Sequence, residues 1–359
     1  MKIKDFIDYE QPNKYIVESE RYSSEYNIPV LTAGQSFILG YTNETIGIYE
    51  KYPCIIFDDF TTSVHYVDFS FKVKSSAMKI LKNKENSDLK YCYYLLLNMS
   101  KMPPNHKRQW ISTTSEKEHK LPSINDQRKI TNILDKISNI INFYNLELKK
   151  LDELIKARFI EMFGDPRSNH FGFDKMMLKD TCKVITGNTP SKAIAEYYGD
   201  YVEWIKTDNI VGELLNPTKA AEFLSKKGVE VGRTVDKNSI LMACIAGSEA
   251  SIGRICVTDR TVAFNQQINA IVPQKYNILF LYVLLKISKN YLTEDINMAL
   301  KGILSKSRLE KKQFIVPPME LQNEFADFMK QVDKSKFEVQ KSLEKTQQLY
   351  DSLMQKYFG

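Results

Sequence analysis

The sequence predicts an α+β protein built as an internal repeat: a mixed globular domain and a long helix, then a second mixed domain and a second long helix. Three observations carry this. The chain ends on "LYDSLMQKYFG", and its middle, at 154–164, reads "LIKARFIEMFG". A shift of 195 residues places Leu121-Pro122-Ser123 on Val316-Pro317-Pro318, Gln127 on Gln322 and Phe163-Gly164 on Phe358-Gly359, with no gap over the 44 positions from 121 to 164. Both superimposed segments carry one apolar stripe at heptad spacing, and each follows short apolar runs broken by turn residues.

The first domain spans 1–121. "PCIIFDDF" at 53–60 reads as a buried strand after a turn, and its counterpart is "NSILMACI" at 238–245. "IKDF" at 3–6 pairs with "LKDT" at 178–181, and "FKVKSSAMKIL" at 71–81 pairs with "FNQQINAIVP" at 264–273. "LKYCYYLLL" at 89–97 and "ILFLYVLLK" at 278–286 read as an apolar helix in each globular part.

The segment 122–164 is the first long helix, with its helical core at about 123–163. Positions 130, 134, 137, 141, 144, 148, 151, 155, 158 and 162 hold Ile, Leu, Ile, Ile, Tyr, Leu, Leu, Ile, Arg and Met, so nine of ten are apolar. The same positions plus 195 hold Phe, Met, Val, Lys, Val, Leu, Thr, Tyr, Leu and Tyr, so eight of ten are apolar. Alternating steps of four and three are the period of a coiled-coil seam. Each segment opens just after proline, which suits a first turn and not a helix interior. Forty helical residues measure roughly 60 Å, and one apolar stripe of that length needs a partner. An antiparallel coiled coil between the two copies is the expected partner, with Arg158, Lys336 and Thr346 as polar seam residues that fix register; packing of each helix on its neighbouring globular domain, or pairing between two chains, is the alternative. "GDPRSNHFGFDK" at 164–175 is the linker, 165–316 the second domain and 317–359 the second long helix. The expected architecture is a caliper with pseudo-twofold symmetry.

Composition narrows the function. The chain has 359 residues, 43% hydrophobic and 26% charged, with a net charge of +6 and a pI near 8.7. A mildly basic balance suits a polyanionic partner. Cys54, Cys92, Cys182, Cys244 and Cys256 form no CxxC and read as buried free thiols of a reducing compartment. "MKIKDFIDYE" has no apolar core of a secretory signal, and the apolar run 278–285 is too short to span a bilayer, so the expected location is cytoplasmic, with no membrane partner.

Motifs of chemistry are missing. His65, His106, His119 and His170 form neither HExxH nor a His–Cys cluster, and no GxxxxGK[ST], GxGxxG or GxSxG occurs. "NPTK" at 216–219 does not make the Asn/Asp-Pro-Pro-aromatic tetrad of amino-methyltransferases. Asp58 and Asp59 end a buried strand, and Glu118 lies in the charged run "SEKEHK", so none is assigned to catalysis. The chain reads as a binding and spacing device, not an enzyme, with no catalytic residue, metal site or cofactor of its own.

Along its whole length the chain resembles the specificity (S) subunit of type I restriction–modification systems. The resemblance rests on the duplicated order of domain and helix, and on particular stretches. "LKDTCKVITGNTPSKAIAEYYGDYVEWIKTDNI" at 178–210 carries a Gly-x-Thr-Pro-Ser turn and a Trp-Ile-Lys-Thr-Asp, and "ASIGRICVTDRTVAFNQQINAIVP" at 250–273 carries Ile-Gly and Phe-Asn-Gln-Gln. "LPSINDQRKITNIL" and "VPPMELQNEF" resemble the family's Pro-x-x-x-x-Gln helix openings. "PVLTAGQSFILGYTNE" at 29–44 and the stretch 55–81 look like a different subtype, and the first domain lacks both motifs of the second.

The resemblance implies that each globular part is a target recognition domain reading one half of a bipartite double-stranded DNA site, with the helices setting the spacer. It implies two modification (M) subunits carrying S-adenosylmethionine and methylating adenine, and restriction (R) subunits using ATP and magnesium. Two other readings stay open: the specificity subunit of a fused restriction–modification enzyme outside type I, and a coiled-coil scaffold with no DNA role. Base edges are read by Asn, Gln, Arg, Lys, Ser or Thr, and phosphates by Lys and Arg. On that basis the candidates in the second domain are Thr189, Ser191, Lys192, Lys206, Thr207 and Asp208, with Lys301, Ser305, Lys306 and Arg308 as a basic phosphate-binding loop. In the first domain they are Thr32, Gln35, Ser36, Thr61, Thr62, His106, Lys107 and Arg108. Asn265, Gln266 and Gln267 read instead as internal hydrogen-bonding groups.

Overall fold

A computed structural model describes residues 1–32, 36–100, 107–212, 214–248, 250–294, 296 and 302–359. The chain divides into two compact units, Met1–Asn145 with Lys341–Gly359, and Leu146–Gln340.

Unit 1 contains β1 (Ile7–Glu10), β2 (Ile28–Leu31), β3 (Ile38–Thr42), β4 (Cys54–Asp58), β5 (Val64–Val67), β6 (Lys72–Val73), β7 (Met78–Asn83), α1 (Leu89–Met99) and the first half of α2 (Ile124–Phe163). One sheet has the order β1-β7-β4-β5 and a second the order β3-β2-β6, with β2 and β6 parallel. Both faces of the first sheet are buried. On β4, Ile55 and Phe57 face a core built with α1, while Cys54 and Ile56 face a second core built with Leu31, Val73 and Phe71. The period of two in a strand separates these sets, and burial on both faces is why "CIIF" is a continuous apolar run.

Unit 2 takes the second half of α2. It contains β8 (Lys175–Met177), β9 (Cys182–Thr186), β10 (Tyr198–Ile205), β11 (Phe223–Leu224), α3 (Lys226–Val231), β12 (Thr234–Val235), β13 (Ile240–Ala243), β14 (Ile245–Ala246), β15 (Ile255–Val257), β16 (Val262–Phe264) and β17 (Ile268–Pro273). α4 (Ile278–Ile287), α5 (Lys289–Thr293), β18 (Gly302–Ile303), α6 (Lys306–Lys311), β19 (Gln313–Ile315) and α7 (Met319–Phe358) follow, the last ending in unit 1. The order β9-β17-β13-β15 repeats β1-β7-β4-β5, and β11-β10-β16-β12 repeats β3-β2-β6 with one strand added. Register repeats too: Phe57 faces Lys79 as Met242 faces Asn269, and β10 and β16 are parallel as β2 and β6 are. Lys2 bridges Glu118 in unit 1 where Met177 pairs with Gln313 in unit 2. The two globular parts therefore share one topology although the motifs of the second are missing from the first.

The long helices span Ile124–Phe163 and Met319–Phe358, so their first residues and their last residues are both 195 apart. At the twenty seam positions every side chain is buried or half-buried. Within unit 2 the helix segments run antiparallel: Lys336 Nζ donates to Asp152 Oδ1 at 2.9 Å, and Arg158 Nη2 to Glu324 Oε1 at 3.0 Å. Thr346 does not link the helices; its hydroxyl donates to Ser342 O one turn back at 2.8 Å.

Each unit is closed by the start of one long helix and the end of the other. In unit 1, Leu134 of α2 shares a core with Met354 and Phe358 of α7, and Gln127 is buried; in unit 2, Phe325 of α7 shares a core with Phe159 and Phe163 of α2, and Gln322 is buried. The two glutamines do the same work. Gln127 Oε1 accepts from Asp88 N at 2.8 Å, and its Nε2 donates to Pro122 O and Asn86 O. Gln322 Oε1 accepts from Asn277 N at 2.9 Å, and its Nε2 donates to Pro317 O and Lys275 O. Asp88 and Asn277 are the N-caps of α1 and α4, so one amide fixes the start of a long helix to the start of the core helix. At the other end, Gly164 takes φ +68° and Asp165 Oδ1 accepts from Arg167 N and Ser168 N, which turns the chain into the linker.

Candidate nucleic-acid interface

In unit 2 the Gly187–Lys192 loop leaves β9 and lies over the end of β16. A Cβ on Gly187 would stand 2.2 Å from Asn265 O and 2.5 Å from Phe264 O, so only glycine permits this approach. Gly187 N donates to Ile268 O and Asn188 N to Phe264 O, which binds the loop to the strand ends. Asn188 Oδ1 accepts from Arg233 N, and Arg233 Nη1 donates to Thr186 O at 2.6 Å.

On this frame the structure brings Thr189, Lys192 and Lys206 together. Thr189 is exposed and its hydroxyl donates to Gln266 Oε1. Lys192 is exposed with its ammonium 3.7 Å from Glu222, and Lys206 bonds the other oxygen of the same carboxylate. Lys206 also lies 5.0 Å from the centre of the Trp204 ring. The Lys206 hydrogen bond, opposed by partial burial, holds the Glu222 carboxyl below its ordinary range. Ser191 and Asp208 are exposed, and Thr207 is half-buried in the short turn after β10.

Ser305 caps α6, accepting from Arg308 N at 3.4 Å; Lys306 pairs with Glu310 at 3.6 Å, and both Lys306 and Arg308 are exposed. α6 packs on β9, and Leu304 N donates to Cys244 O at 2.8 Å. Lys301 lies outside the described residues, as do Gln35 and His106.

In unit 1 the remaining candidates gather on three connected segments. Thr32 N donates to Phe37 O, and Phe37 stacks on His65 with ring centres 3.8 Å apart, which ties the β2–β3 turn to β5. Ser36 in that turn is exposed. Thr61 and Thr62 form the β4–β5 turn around Asp58: Thr61 N and Oγ1 both donate to Asp58 Oδ1, and Thr62 is buried with φ +60°. Asp59 Oδ1 accepts from Gln109 N and Trp110 N, anchoring the segment that exposes Lys107 and Arg108. Asp58 Oδ1 and the Asp59 carboxylate thus hold loops, while Asp58 Oδ2 is buried with no hydrogen-bond partner among the described residues.

Sequence reasoning did not find Glu222, Arg233 or the exposure of Gln266. Asn265 is internal, its Oδ1 accepting from Gln267 N at 3.1 Å, but Gln266 next to it is exposed. Glu222 precedes a two-residue strand and has no signal in the chain; only folding brings it to Lys192 and Lys206. All five cysteines are free and buried. Among the described residues no helix is long and apolar enough to cross a membrane, and no group of three or more His, Cys, Asp or Glu side chains is placed to hold a metal ion.

Two α+β units of one topology, each closed by the ends of two long helices, define a class of proteins with a duplicated domain-and-helix architecture. The comparisons with known proteins identify it. Residues 172–349 match the family described as "Type I restriction modification DNA specificity domain". The chain is 33% identical over 297 residues to the specificity subunit of the type I restriction enzyme EcoR124I/EcoR124II of Escherichia coli, covering 79% of this chain and 72% of that protein. Over 118 residues, 32% of this chain and 25% of that protein, it is 33% identical to the specificity subunit of the type I restriction enzyme HindI of Haemophilus influenzae. The fold is similar to that of the type I restriction–modification S subunit from M. genitalium, with a TM-score of 0.65 at 15% identity over 100% of this chain and 95% of that one. A chain from a type I restriction–modification complex matches with a TM-score of 0.54 at 15% identity, covering 98% and 97%. The protein belongs to the family of type I restriction-enzyme specificity subunits.

Proposed function

We propose that this chain reads a bipartite double-stranded DNA target, with one half-site per globular unit and a spacer set by the two long helices running as an antiparallel coiled coil. It recruits two M subunits that methylate adenine and R subunits that cleave, and it performs no chemistry itself. S-adenosylmethionine, ATP and magnesium belong to those subunits. The observation that carries this reading is the repeated sheet order and register in the two units, on helices whose ends are 195 residues apart. Two copies of one fold with different loops are suited to reading two different short sequences.

Unit 2 contacts DNA through Thr189, Ser191, Lys192, Lys206, Thr207 and Asp208, with Ser305, Lys306 and Arg308 toward phosphates; unit 1 does so through Thr32, Ser36, Lys107 and Arg108, and not through Thr61 and Thr62, whose turn is closed on Asp58. Methylome sequencing of cells with and without the chain tests the reading. A split motif that vanishes with the chain is the expected result. Changing Thr189, Ser191 and Lys192 together to alanine relaxes one half of that motif, at about 1–3 kcal/mol per lost base contact, and leaves the other half intact. Equal loss of both halves contradicts one reader per unit.

A further inference from the structure

Glu222 stands where three segments of unit 2 meet: Lys192 from the loop after β9, Lys206 from the end of β10, and Glu222 itself just before β11. Contacts among these segments hold the group together. Trp204 N donates to Glu222 O at 2.9 Å, and Lys206 rests on the Trp204 ring. The Trp204 ring meets Tyr198 edge-on at 5.9 Å, and the Tyr198 hydroxyl donates to Pro190 O at 2.7 Å, back in the Lys192 loop. The Glu222 side chain keeps 37% of its surface exposed, and Lys192 keeps 66%.

A carboxylate on a face that meets phosphates is repelled by them, and it weakens binding to every sequence. It favours binding where it touches a base, or indirectly where it holds a cation that touches DNA. Ionised, it offers acceptors and no donor, and among major-groove edges the cytosine N4 amino group is the donor that Glu and Asp read. The two lysines are donors only, which suits guanine O6 and N7 on the same base pair or the phosphates beside it.

We propose that Glu222 is a specificity-determining residue of unit 2, accepting a hydrogen bond from a cytosine N4 amino group, with Lys192 and Lys206 as the positioning residues that hold its carboxylate. The proposal rests on the reading of unit 2 as a half-site reader.

Glu222→Gln keeps the shape and removes the charge, and it separates base reading from loop support. In the full-length chain, discrimination at one C·G position of one half-site falls about 5- to 150-fold by methylome sequencing. Binding of the purified chain to mixed-sequence duplex DNA at low salt rises about two- to five-fold, because a repulsive charge is gone. Glu222→Asp keeps the C·G preference in weakened form. A wild-type split motif that the Gln variant leaves unchanged in both halves overturns the proposal and leaves the two-reader account standing. Loss of both motif and mixed-sequence binding in the Gln and Asp variants alike also overturns it, since the carboxylate then only supports the loop. A wild-type chain that yields no chain-dependent motif overturns the half-site reading, and the proposal falls with it.

Discussion

Lys79 is fully buried, with its ammonium 3.1 Å from an Asp59 carboxylate that is 1% exposed. Gln11 Oε1 accepts a second hydrogen bond from the ammonium, and Asp59 Oδ1 takes the N–H groups of Gln109 and Trp110, so both charges are satisfied. The corresponding positions of unit 2 hold Asn269 and Cys244, whose Nδ2 and Sγ lie 3.2 Å apart, and the main-chain bond Gln109 N to Asp59 O recurs as Leu304 N to Cys244 O. The fold thus accepts an ion pair or a neutral pair at one place, but not half of an ion pair. Lys79→Met leaves the buried Asp59 carboxylate without its counter-charge and costs about 3–5 kcal/mol. The double variant Asp59→Cys with Lys79→Asn is less destabilised than the sum of its single changes, and chemical denaturation of all the variants measures the coupling. His65 and His119 add a pH dependence to the same unit. Burial holds both imidazoles below their ordinary range, against an opposing pull from Asp58 on His65 and aided by the nearby N-terminal charge on His119. The unfolded chain then binds more protons than the folded one below the ordinary value of about 6.5. Stability is full above that value and falls as the pH drops through it toward the folded pKa. His119→Gln flattens the slope of the unfolding midpoint between neutral and mildly acidic pH; an unchanged slope excludes His119 as its source.

The long helices are held at their ends by equivalent glutamines, and these define the next test. Gln127→Leu and Gln322→Leu each strand an N-cap N–H and two carbonyls in buried or half-buried surroundings, at about 1–3 kcal/mol for each group left unpaired and buried. Both variants lower the melting temperature, and a neutral outcome at either position contradicts the clamp. The extent of these helices was legible because two signals agree: proline before the first turn and a sustained heptad stripe. The lengths match the expectation to a residue at each end. Phe159 and Phe163 were not legible as core residues, because they lie off the stripe and their burial comes from Phe280 and Phe325 of unit 2. The shared topology was visible only as faint matches, since strand order follows burial pattern and not identity. The interface was least legible. Thr61 and Thr62 have the residue types of base readers, yet Thr61 uses its hydroxyl on Asp58 and Thr62 is buried. Base-reading side chains follow no period, and a partner such as Glu222 is supplied by a distant strand end.

At the scale of the whole molecule, the proposed function makes the helices a ruler and the units readers. The unit boundaries fall at Asn145 and Gln340, which are again 195 residues apart. Each unit takes the start of one helix and the end of the other, and the proposed coiled coil keeps its register only if a change in length is made in both helices. Seven residues of heptad pattern inserted after Asn145 and seven after Gln340 lengthen each helix by about 10 Å. That length corresponds to about three base pairs of duplex. Methylome sequencing of cells carrying the doubly extended chain is the most direct measurement. The account predicts that both half-sites are retained and the spacer between them grows by about three base pairs. A folded, active variant that methylates the original motif with its original spacer would contradict it.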